Sequence, residues 1–324
     1  MQTQTSKTDQ LLCDFEMSLQ ATYYPLGFPL TITTNSSEIL RAAEESWGRF
    51  HKVYSQAAMH IRIGVLEGGS AECPGEPIYR EQRSLRIRIA DVENFSVSDM
   101  KHGFAFAWLT RATVENQAYL RWYFIEGITW DLLEAHLTAI HAGCVQLNDR
   151  GVLVCGDSGA GKSSLTFACA RRGWTFLSDD STMLVRGREG AVVVGNPYQI
   201  RFRESAINLF PELRAKQLAP TFTGEMAIEL PTSDLPEIKT TLECSIDYIA
   251  FLNRGPGGPA RLLPFPKETA LEWFEQFIFC REQDVVDAHK ASLRNLLTAQ
   301  IFELRYSDLD SAVQRLESLV RCGS

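Results

Sequence analysis

Hydrophobic and polar residues alternate along several short segments in the first third of the chain. Glycine- and proline-bearing residues 67–77 separate two of these segments and predict a loop. A capping pattern at Asn35-Ser-Ser-Glu38 followed by apolar residues at helical spacing predicts one helix. Residues 1–128 are therefore predicted to form a strand-rich module. Its half-buried strands are predicted at residues 60–66, 84–89 and 104–109.

The middle of the chain carries a helical pattern followed by a hairpin pattern. Residues 122–137 are aromatic and apolar at helical spacing, with acidic residues between them, and predict a core-packing helix that joins the two halves. Residues 141–147 and 152–155 are apolar runs. The turn residues from Asn148 to Gly151 separate them, so the two runs are predicted to pair as a β-hairpin.

The remainder of the chain, residues 129–324, mixes strand and helix patterns and predicts an α/β domain with mixed sheets. Residues 174–178 read as an apolar strand. Residues 213–241 mix Pro, Thr, Glu and Lys and predict a mobile loop. Two helices, a strand and a closing helix are predicted at residues 268–279, 284–298, 301–306 and 309–320.

Composition and charge narrow the class of protein. The chain has 324 residues, of which 45% are hydrophobic, and a formal net charge of −8. Lys and Arg are scattered, so we exclude nucleic acid as a partner and expect a peptide or small molecule. No run approaches the roughly eighteen apolar residues of a membrane span. With a polar leader over residues 1 to about 20, we expect a cytoplasmic protein that does not bind membranes, with eight free cysteines.

One stretch matches the phosphate-binding (Walker A) pattern G-x-x-x-x-G-K-[ST] completely, and it lies between a predicted strand and a predicted helix. Backbone N–H groups of such a P-loop, with the helix N-terminus behind it, bind phosphate. Lys162 is expected to reach the β- and γ-phosphates of ATP, and the Ser163 hydroxyl to hold Mg²⁺. The predicted nucleotide-binding residues are Gly156, Asp157, Ser158, Gly159, Ala160, Gly161, Lys162, Ser163 and Ser164.

Further candidates for chemistry lie outside the loop. Asp179 and Asp180 end a predicted strand, where one carboxylate would hold the metal and the other would accept a proton from an attacking hydroxyl; the residues alone leave open which does which. Arg201 and Arg203 have the guanidinium geometry that suits phosphate, although most arginines in this setting are surface residues. His141 begins a predicted strand, where a histidine by itself is more often structural.

Four of these motifs together resemble the C-terminal catalytic domain of the HPr kinase/phosphorylase family. They are His141, the loop Gly156–Ser163, Arg172-Gly173 and Ser178-Asp179-Asp180. The resemblance covers residues 130–205 well, the rest of the second half by element order only, and residues 1–120 not at all. It implies a fold akin to phosphoenolpyruvate carboxykinase and transfer of the γ-phosphoryl group of Mg-ATP to a serine hydroxyl of a protein.

The resemblance also implies a role for each site residue. It implies that Lys162 and Ser163 bind phosphate and metal, and that His141 lies beside the transferring phosphoryl group. Asp179 resembles the catalytic base and Asp180 the metal ligand.

Departures from the family pattern leave several functions open. The signature tied to phosphorolysis is not recognisable, and Gln199 occupies the position of an acidic metal-site residue, so loss of the reverse activity is expected. The N-terminal module differs from that of the family, so the acceptor need not be HPr; shorter relatives imply a serine on a precursor peptide. Three other functions remain open: a small-metabolite kinase, a carboxykinase-like enzyme and a nucleotide-binding switch without phosphotransfer. The chain could also form a homo-oligomer.

Overall fold

A computed structural model describes residues 16–221, 225–279 and 282–322. It divides into two units, Met1–Ala135 and His136–Ser324. The helix over Gly127–Leu133 lies in the first unit, where its Asp131 pairs with Arg88, and the predicted domain boundary after residue 128 stays a prediction. The predicted leader lies outside the described residues up to residue 15.

The first unit is built on one sheet of seven strands, with one helix between β2 and β3 and the others after β7. The strands are β1 (Leu19–Tyr23), β2 (Leu30–Thr34), β3 (Met59–Leu66), β4 (Ile78–Gln82), β5 (Leu85–Ile89), β6 (Phe95–Asp99) and β7 (Phe104–Thr110). The helices are α1 (Ser37–Trp47), α2 (Arg111–Glu115), α3 (Gln117–Tyr119), a π-helical segment (Leu120–Glu126) and α4 (Gly127–Leu133). A 3₁₀ turn spans Pro25–Gly27.

The strand order of this sheet is β1-β2-β3-β7-β6-β5-β4, and β2, β3 and β7 run parallel. The three predicted strands are confirmed as β3, β5 and β7, and the predicted helix as α1. Strands β1, β4 and β6 were not predicted. The long helix predicted over residues 122–137 is wrong in extent, because α4 ends at Leu133 and the next strand already begins at Leu137.

The second unit contains the remaining elements. Its strands are β8 (Leu137–Leu147), β9 (Arg150–Cys155), β10 (Thr175–Ser178), β11 (Ser181–Val185), β12 (Val192–Gly195), β13 (Gln199–Phe202), β14 (Leu218–Pro220), β15 (Met226–Pro231), β16 (Lys239–Thr240), β17 (Glu243–Arg254), β18 (Arg261–Pro264) and β19 (Gln300–Tyr306). Its helices are α5 (Lys162–Arg171), α6 (Lys267–Glu275), α7 (Gln283–Leu296) and α8 (Leu309–Cys322), with 3₁₀ turns at Glu204–Asn208, Pro211–Ala215 and Thr232–Asp234.

Strand β9 lies inside the nine-stranded sheet, antiparallel to β8 and parallel to β17. The predicted β8–β9 hairpin is confirmed, and its turn residues Asn148 and Asp149 have φ angles of 50° and 61°, as tight hairpin turns require. Helix α5 follows β9 after a six-residue connection and buries Leu165 and Phe167 in a core shared with α8. This β9–loop–α5 unit positions the site described below.

The mobile loop predicted over residues 213–241 is wrong where the structure describes it. Strand β15 pairs with β13 and with β14, and its Ile228 and Leu230 are buried in the core. The sequence did not predict β15, because Pro and Thr residues, which are typical of loops, lie on both sides of its short apolar segment. Residues 222–224 of this segment lie outside the described residues.

The mixed sheets with helices confirm the predicted α/β class. No helix among the described residues has the length and apolar composition needed to cross a bilayer. Six of the eight cysteines are free thiols, while Cys13 and Cys280 lie outside the described residues.

Candidate functional site

The connection between β9 and α5 has the strand–loop–helix geometry that the loop motif predicts. Gly159 and Gly161 have φ angles of 85° and 102°, a backbone region that side chains other than glycine disfavour. A Cβ at Gly161 would lie 3.1 Å from the Tyr306 hydroxyl, and one at Gly159 would lie 3.3 Å from Nη1 of Arg203. Both positions therefore favour glycine, and a glycine-bearing loop that leads into a helix is the kind of backbone that binds phosphate groups.

Lys162, the first residue of α5, is the buried cation of this site, with 5% of its side chain exposed. Its Nζ donates to the carbonyl oxygen of Gly156 at 2.8 Å and more weakly to that of Asp157 at 3.4 Å. The same Nζ lies 3.0 Å from Oδ1 of Asp180 and 3.1 Å from Nε2 of His141. Lys162 thus connects the loop to His141 on β8 and to Asp180, which follows β10.

His141 lies on β8 directly opposite Ser181 of β11, which brings it to the end of β10. Its Nδ1 is 3.5 Å from Oδ2 of Asp180, and its ring centroid is 5.1 Å from that of Phe277. Burial lowers the pKa of His141 below its ordinary value, although the Asp180 charge opposes this effect. The imidazole is therefore mainly neutral near pH 7 and can accept a hydrogen bond from Lys162.

Asp179 and Asp180 follow β10, and their carboxylates contact different groups. The Asp179 carboxylate accepts the backbone N–H of Arg201 at 2.9 Å and the hydroxyl hydrogen of Ser163. Burial and the nearby Asp180 charge raise the pKa of Asp179 to about 6. Asp180 instead contacts Lys162, and 45% of its side chain is exposed.

Of the two candidate arginines, the structure brings one to the loop. Nη2 of Arg203 donates to the Ser158 hydroxyl at 2.7 Å. The side chain of Arg201 pairs with Glu229 on the neighbouring strand β15, and only its backbone N–H contacts the site. Arg203 is therefore the arginine able to contact a ligand in the loop.

Three aromatic residues reach the loop region from distant parts of the chain, and the sequence did not point to them. The Trp273 indole N–H donates to Oδ1 of Asp157 at 3.5 Å, and the Tyr306 hydroxyl donates to the Ala160 carbonyl at 3.4 Å. Phe277 packs beside the histidine on β8. Trp273 lies in α6, Phe277 follows it, and Tyr306 ends β19, so these residues reach the site only through the packing of distant elements. No local sequence motif marks them.

Three side chains of the site carry oxygen atoms of the kind that a divalent cation binds: the hydroxyl of Ser163 and the carboxylate of Asp179, which are in contact, and the carboxylate of Asp180, which pairs with Lys162. Hard oxygen donors in small number fit Mg²⁺, which usually keeps water and substrate phosphate oxygens as its other ligands. Among the described residues, no cluster of three or more His, Cys, Asp or Glu side chains has the arrangement of a metal cage. Ser164 follows in the first turn of α5.

A glycine-bearing loop before a helix, a buried lysine and two adjacent carboxylates thus lie together in this site. No family model matches the chain. Over 131 residues the chain is 29% identical to HPr kinase/phosphorylase of Halalkalibacterium halodurans, covering 38% of this chain and 42% of that protein. The chain thus spans less than half the length of the curated relative that it matches.

A solved structure titled as the Hpr(Ser) kinase/phosphatase from Coxiella burnetii matches 57% of this chain and 94% of that chain, at 14% identity and a TM-score of 0.32. The resemblance to HPr kinase-like proteins that the motifs predicted is confirmed by the curated relative.

Proposed function

We propose that this chain is a kinase that transfers the γ-phosphoryl group of Mg-ATP to a serine hydroxyl of a protein or peptide. The observation that carries the proposal is the position of Lys162 Nζ, which contacts the loop carbonyls, His141 and Asp180 at once. A buried ammonium group at this point would neutralise charge on a transferring phosphoryl group. The similarity to HPr kinase/phosphorylase supports the same class of reaction.

The residues fit Mg²⁺, which when bound would neutralise part of the negative charge on the phosphate groups. Ser163 and Asp179 would hold it, because a P-loop hydroxyl and a strand-end carboxylate are the usual pair of protein ligands and these two are in contact. The pKa of Asp179 is raised in the protein without a bound cation. A divalent cation at the Ser163 hydroxyl would lower this pKa and favour the ionised carboxylate.

The contacts favour Asp180 as the group that accepts the proton of the acceptor serine. Asp180 is open to solvent and adjoins His141 and Lys162, whereas Asp179 is engaged with a backbone N–H and with Ser163. This division of roles is the reverse of the one that the family resemblance implies.

In the proposed reaction, the serine oxygen forms a bond to the γ-phosphorus as the bond from phosphorus to the bridging β,γ-oxygen breaks. The serine proton passes to the Asp180 carboxylate, and ADP leaves with the bridging oxygen. Lys162, which contacts the Gly156 carbonyl, and Arg203, which contacts the Ser158 hydroxyl, would both bind phosphate oxygens. His141, mainly neutral, would orient Asp180.

The test is transfer of label from γ-labelled ATP in the presence of Mg²⁺. The purified chain is incubated with the proteins and peptides of its source organism, and the labelled products are hydrolysed to identify the phosphoamino acid. We expect phosphoserine, and we expect it to disappear with Lys162→Ala but not with the matched surface variant Lys216→Ala. Label found only in small molecules would favour a metabolite kinase, and nucleotide binding without transfer would favour a switch.

We further propose that the reaction runs in the forward direction only. Gln199 begins β13, two positions before Arg201, whose N–H contacts Asp179. If the family's acidic metal-site residue belongs at this position, an amide there leaves the metal site with one acidic group fewer, and a hard cation prefers carboxylate oxygens. A phosphorylated acceptor incubated with millimolar phosphate and Mg²⁺ should release no pyrophosphate above background. Release at a rate near that of the forward reaction would contradict this proposal.

A further inference from the structure

A cavity of about 260 Å³ lies at the ends of β17 and β19 in the second unit. It is lined by Asn253 of β17, Arg261 of β18, Arg305 and Tyr306 of β19, and the glycine- and proline-rich connection over residues 255–259. None of the residues assigned above to phosphoryl transfer lines this cavity. Pockets that bury a whole drug-sized ligand have roughly 300–1,000 Å³, so this cavity suits one part of a larger ligand.

The cavity adjoins the loop that precedes α5. The Tyr306 hydroxyl donates to the Ala160 carbonyl at 3.4 Å, and the Tyr306 carbonyl accepts the backbone N–H of Gly255 at 3.0 Å. At the start of the loop, a Cβ at Gly156 would lie 3.5 Å from Cβ of Leu252 in β17. The end of β17 and the last residue of β19 therefore connect the loop directly to the cavity.

The cavity and the proposed position of the γ-phosphate lie on opposite sides of β9. Strand β8 is the neighbour of β9 on one side, and β17, followed by β19, lies on the other. His141 on β8 and Asp180 after β10 contact Lys162 on the first side. Strands β9, β17 and β19 run parallel, so their carboxyl ends, where α/β sheets bind ligands, lie at one edge.

A nucleotide bound in the loop would have its two ends at different strands. The backbone of a P-loop holds the α- and β-phosphates, and its lysine reaches the β- and γ-phosphates. With the γ-phosphate on the β8 side of Lys162, the base extends toward β17 and β19. Neighbouring strands lie about 4.8 Å apart, so the ends of β17 and β19 are about 5 and about 10 Å to the side of β9, within the length of a nucleotide.

Three polar side chains at the cavity lie in one row across the sheet. Asn253 lies opposite Arg305, and Arg305 lies opposite Arg261. Glu303 accepts Nδ2 of Asn253 at 2.6 Å and Nε of Arg305 at 2.7 Å. The hydrogen bond from Asn253 is the main cause that lowers the pKa of Glu303. One ionised carboxylate thus orients both the amide and a guanidinium group at the cavity.

Glu303 also decides which end of the Asn253 amide is left for a ligand. An ionised carboxylate accepts hydrogen bonds and cannot donate them, so it takes the NH₂ group of the amide. The remaining polar atom of this side chain is Oδ1, which is an acceptor only. Asn253 therefore offers a hydrogen-bond acceptor to a ligand in the cavity that it lines.

Adenine and guanine differ in the group that such an acceptor distinguishes. Adenine carries a 6-amino donor where guanine carries a 6-oxo acceptor. An amide that offers only its oxygen can bind the amino group and repels the oxo group. Guanidinium groups such as those of Arg261 and Arg305 stack on either base, so they add affinity without selecting between the two.

We propose that this cavity binds the base of the nucleotide and that Oδ1 of Asn253 selects adenine over guanine. Arg261 and Arg305 flank the base, and the connection over residues 255–259 forms the wall beside it. The inference rests on the proposed kinase function, because it gives the position of the base in the nucleotide whose γ-phosphate lies at Lys162.

The first test is calorimetric titration of the full chain with the magnesium complexes of ATP, GTP and inorganic triphosphate. The wild type should bind ATP at least about tenfold more tightly than GTP, as expected when one hydrogen bond is replaced by an unpaired acceptor. Asn253→Leu should weaken ATP binding and bring the two affinities within about threefold of each other. Asn295→Leu makes the same change at an exposed position of α7 and should keep the wild-type preference.

Each result of the titration bears on one proposal or on both. Equal binding of ATP and GTP by the wild type would overturn the inference, as would a preference that Asn253→Leu retains. Equal affinity for ATP and inorganic triphosphate would show that the base makes no contact and would also overturn it. A preference for ATP without formation of phosphoserine would overturn the kinase proposal alone. A chain that binds none of the three would overturn both.

The second test locates the base without a variant, and it decides the question should Asn253→Leu fail to fold. The wild type is irradiated with 8-azido-ATP, which carries its reactive group on the adenine ring, and is then digested with trypsin. Cleavage after Arg254 and Arg261 releases residues 255–261, which include the wall of the cavity. We expect label on this peptide that excess ATP prevents. Label found only on other peptides would overturn the inference.

Discussion

Lys162 in the second unit and Arg88 in the first are both almost completely buried cations, and the two are held in different ways. Lys162 has 5% of its side chain exposed and Arg88 has 6%. The acidic partner of Lys162 is Asp180, which is 45% exposed, whereas the partner of Arg88 is Asp131, which is 17% exposed and further bound by Ser98. The lysine contacts a carboxylate that is open to solvent, and the arginine contacts one inside the fold.

This difference is the one we expect between a charge that binds a ligand and a charge that stabilises the fold. A carboxylate that is exposed to solvent can give up its cation to a ligand, because water solvates the carboxylate once it is released. A closed pair cannot be opened without leaving a charge buried and unpaired, which costs several kcal/mol. Removing Lys162 should therefore impair chemistry, and removing a member of the Arg88 pair should impair folding.

The largest effect is expected from Lys162→Ala. Phosphotransfer should fall about a thousandfold, or about 4 kcal/mol, because the variant lacks the ammonium group beside the transferring phosphoryl. The melting temperature should stay close to that of the wild type. Kinetic and thermal measurements on Lys162→Ala and Lys216→Ala check both expectations, and wild-type activity in the first variant would refute the site.

The next largest effect is expected from the buried Arg88–Asp131 pair, which should affect stability and not phosphotransfer. Asp131→Ala leaves Arg88 without its buried partner and should destabilise the first unit by about 3 kcal/mol. Glu45→Ala, which removes an exposed pair with Arg121 in the same unit, should cost less than about 1 kcal/mol. Urea unfolding of both variants measures the difference, and equal losses would mean that burial of the pair has no energetic consequence.

A third prediction separates the two adjacent carboxylates. Asp180→Asn should reduce phosphotransfer about a hundredfold while Mg-ATP affinity stays near that of the wild type, because an amide cannot accept the serine proton. Asp179→Asn should weaken the Mg²⁺-dependent part of the affinity, because an amide is a poorer ligand for a hard cation. Calorimetric titration with Mg-ATP distinguishes them. The opposite order would restore the roles that the family resemblance implies.

The smallest effect concerns the arginine beside the loop. Arg203→Ala should weaken Mg-ATP binding about tenfold, the size expected for one charge-assisted hydrogen bond. Arg201→Ala is its matched control, because the Arg201 side chain pairs with Glu229 while the backbone N–H that contacts Asp179 is retained. A larger loss in the control would show that β13 is positioned by the Arg201–Glu229 pair.

Local patterns predicted the parts of the fold whose conformation depends on neighbouring residues in the chain. The β8–β9 hairpin and the start of α5 after Gly161 follow the predicted order, and Gly173 ends that helix with φ of 88°. Strand β15 was missed because its pairing with β13 is between segments far apart in sequence. The aromatic residues Trp273 and Phe277 were missed for the same reason.

The sequence by itself determined the conformation of the loop between β9 and α5, because its positive φ angles and its place before a helix depend on a few consecutive residues. Only the tertiary structure decided which of Asp179 and Asp180 contacts Ser163, since neighbouring residues after a strand reach different surroundings. It also decided which face of β5 is buried. The alternation of residues along β5 has the same period on both faces, and the arginine-bearing face is buried where Asp131 of α4 and Glu134 after it pair with Arg88 and Arg86.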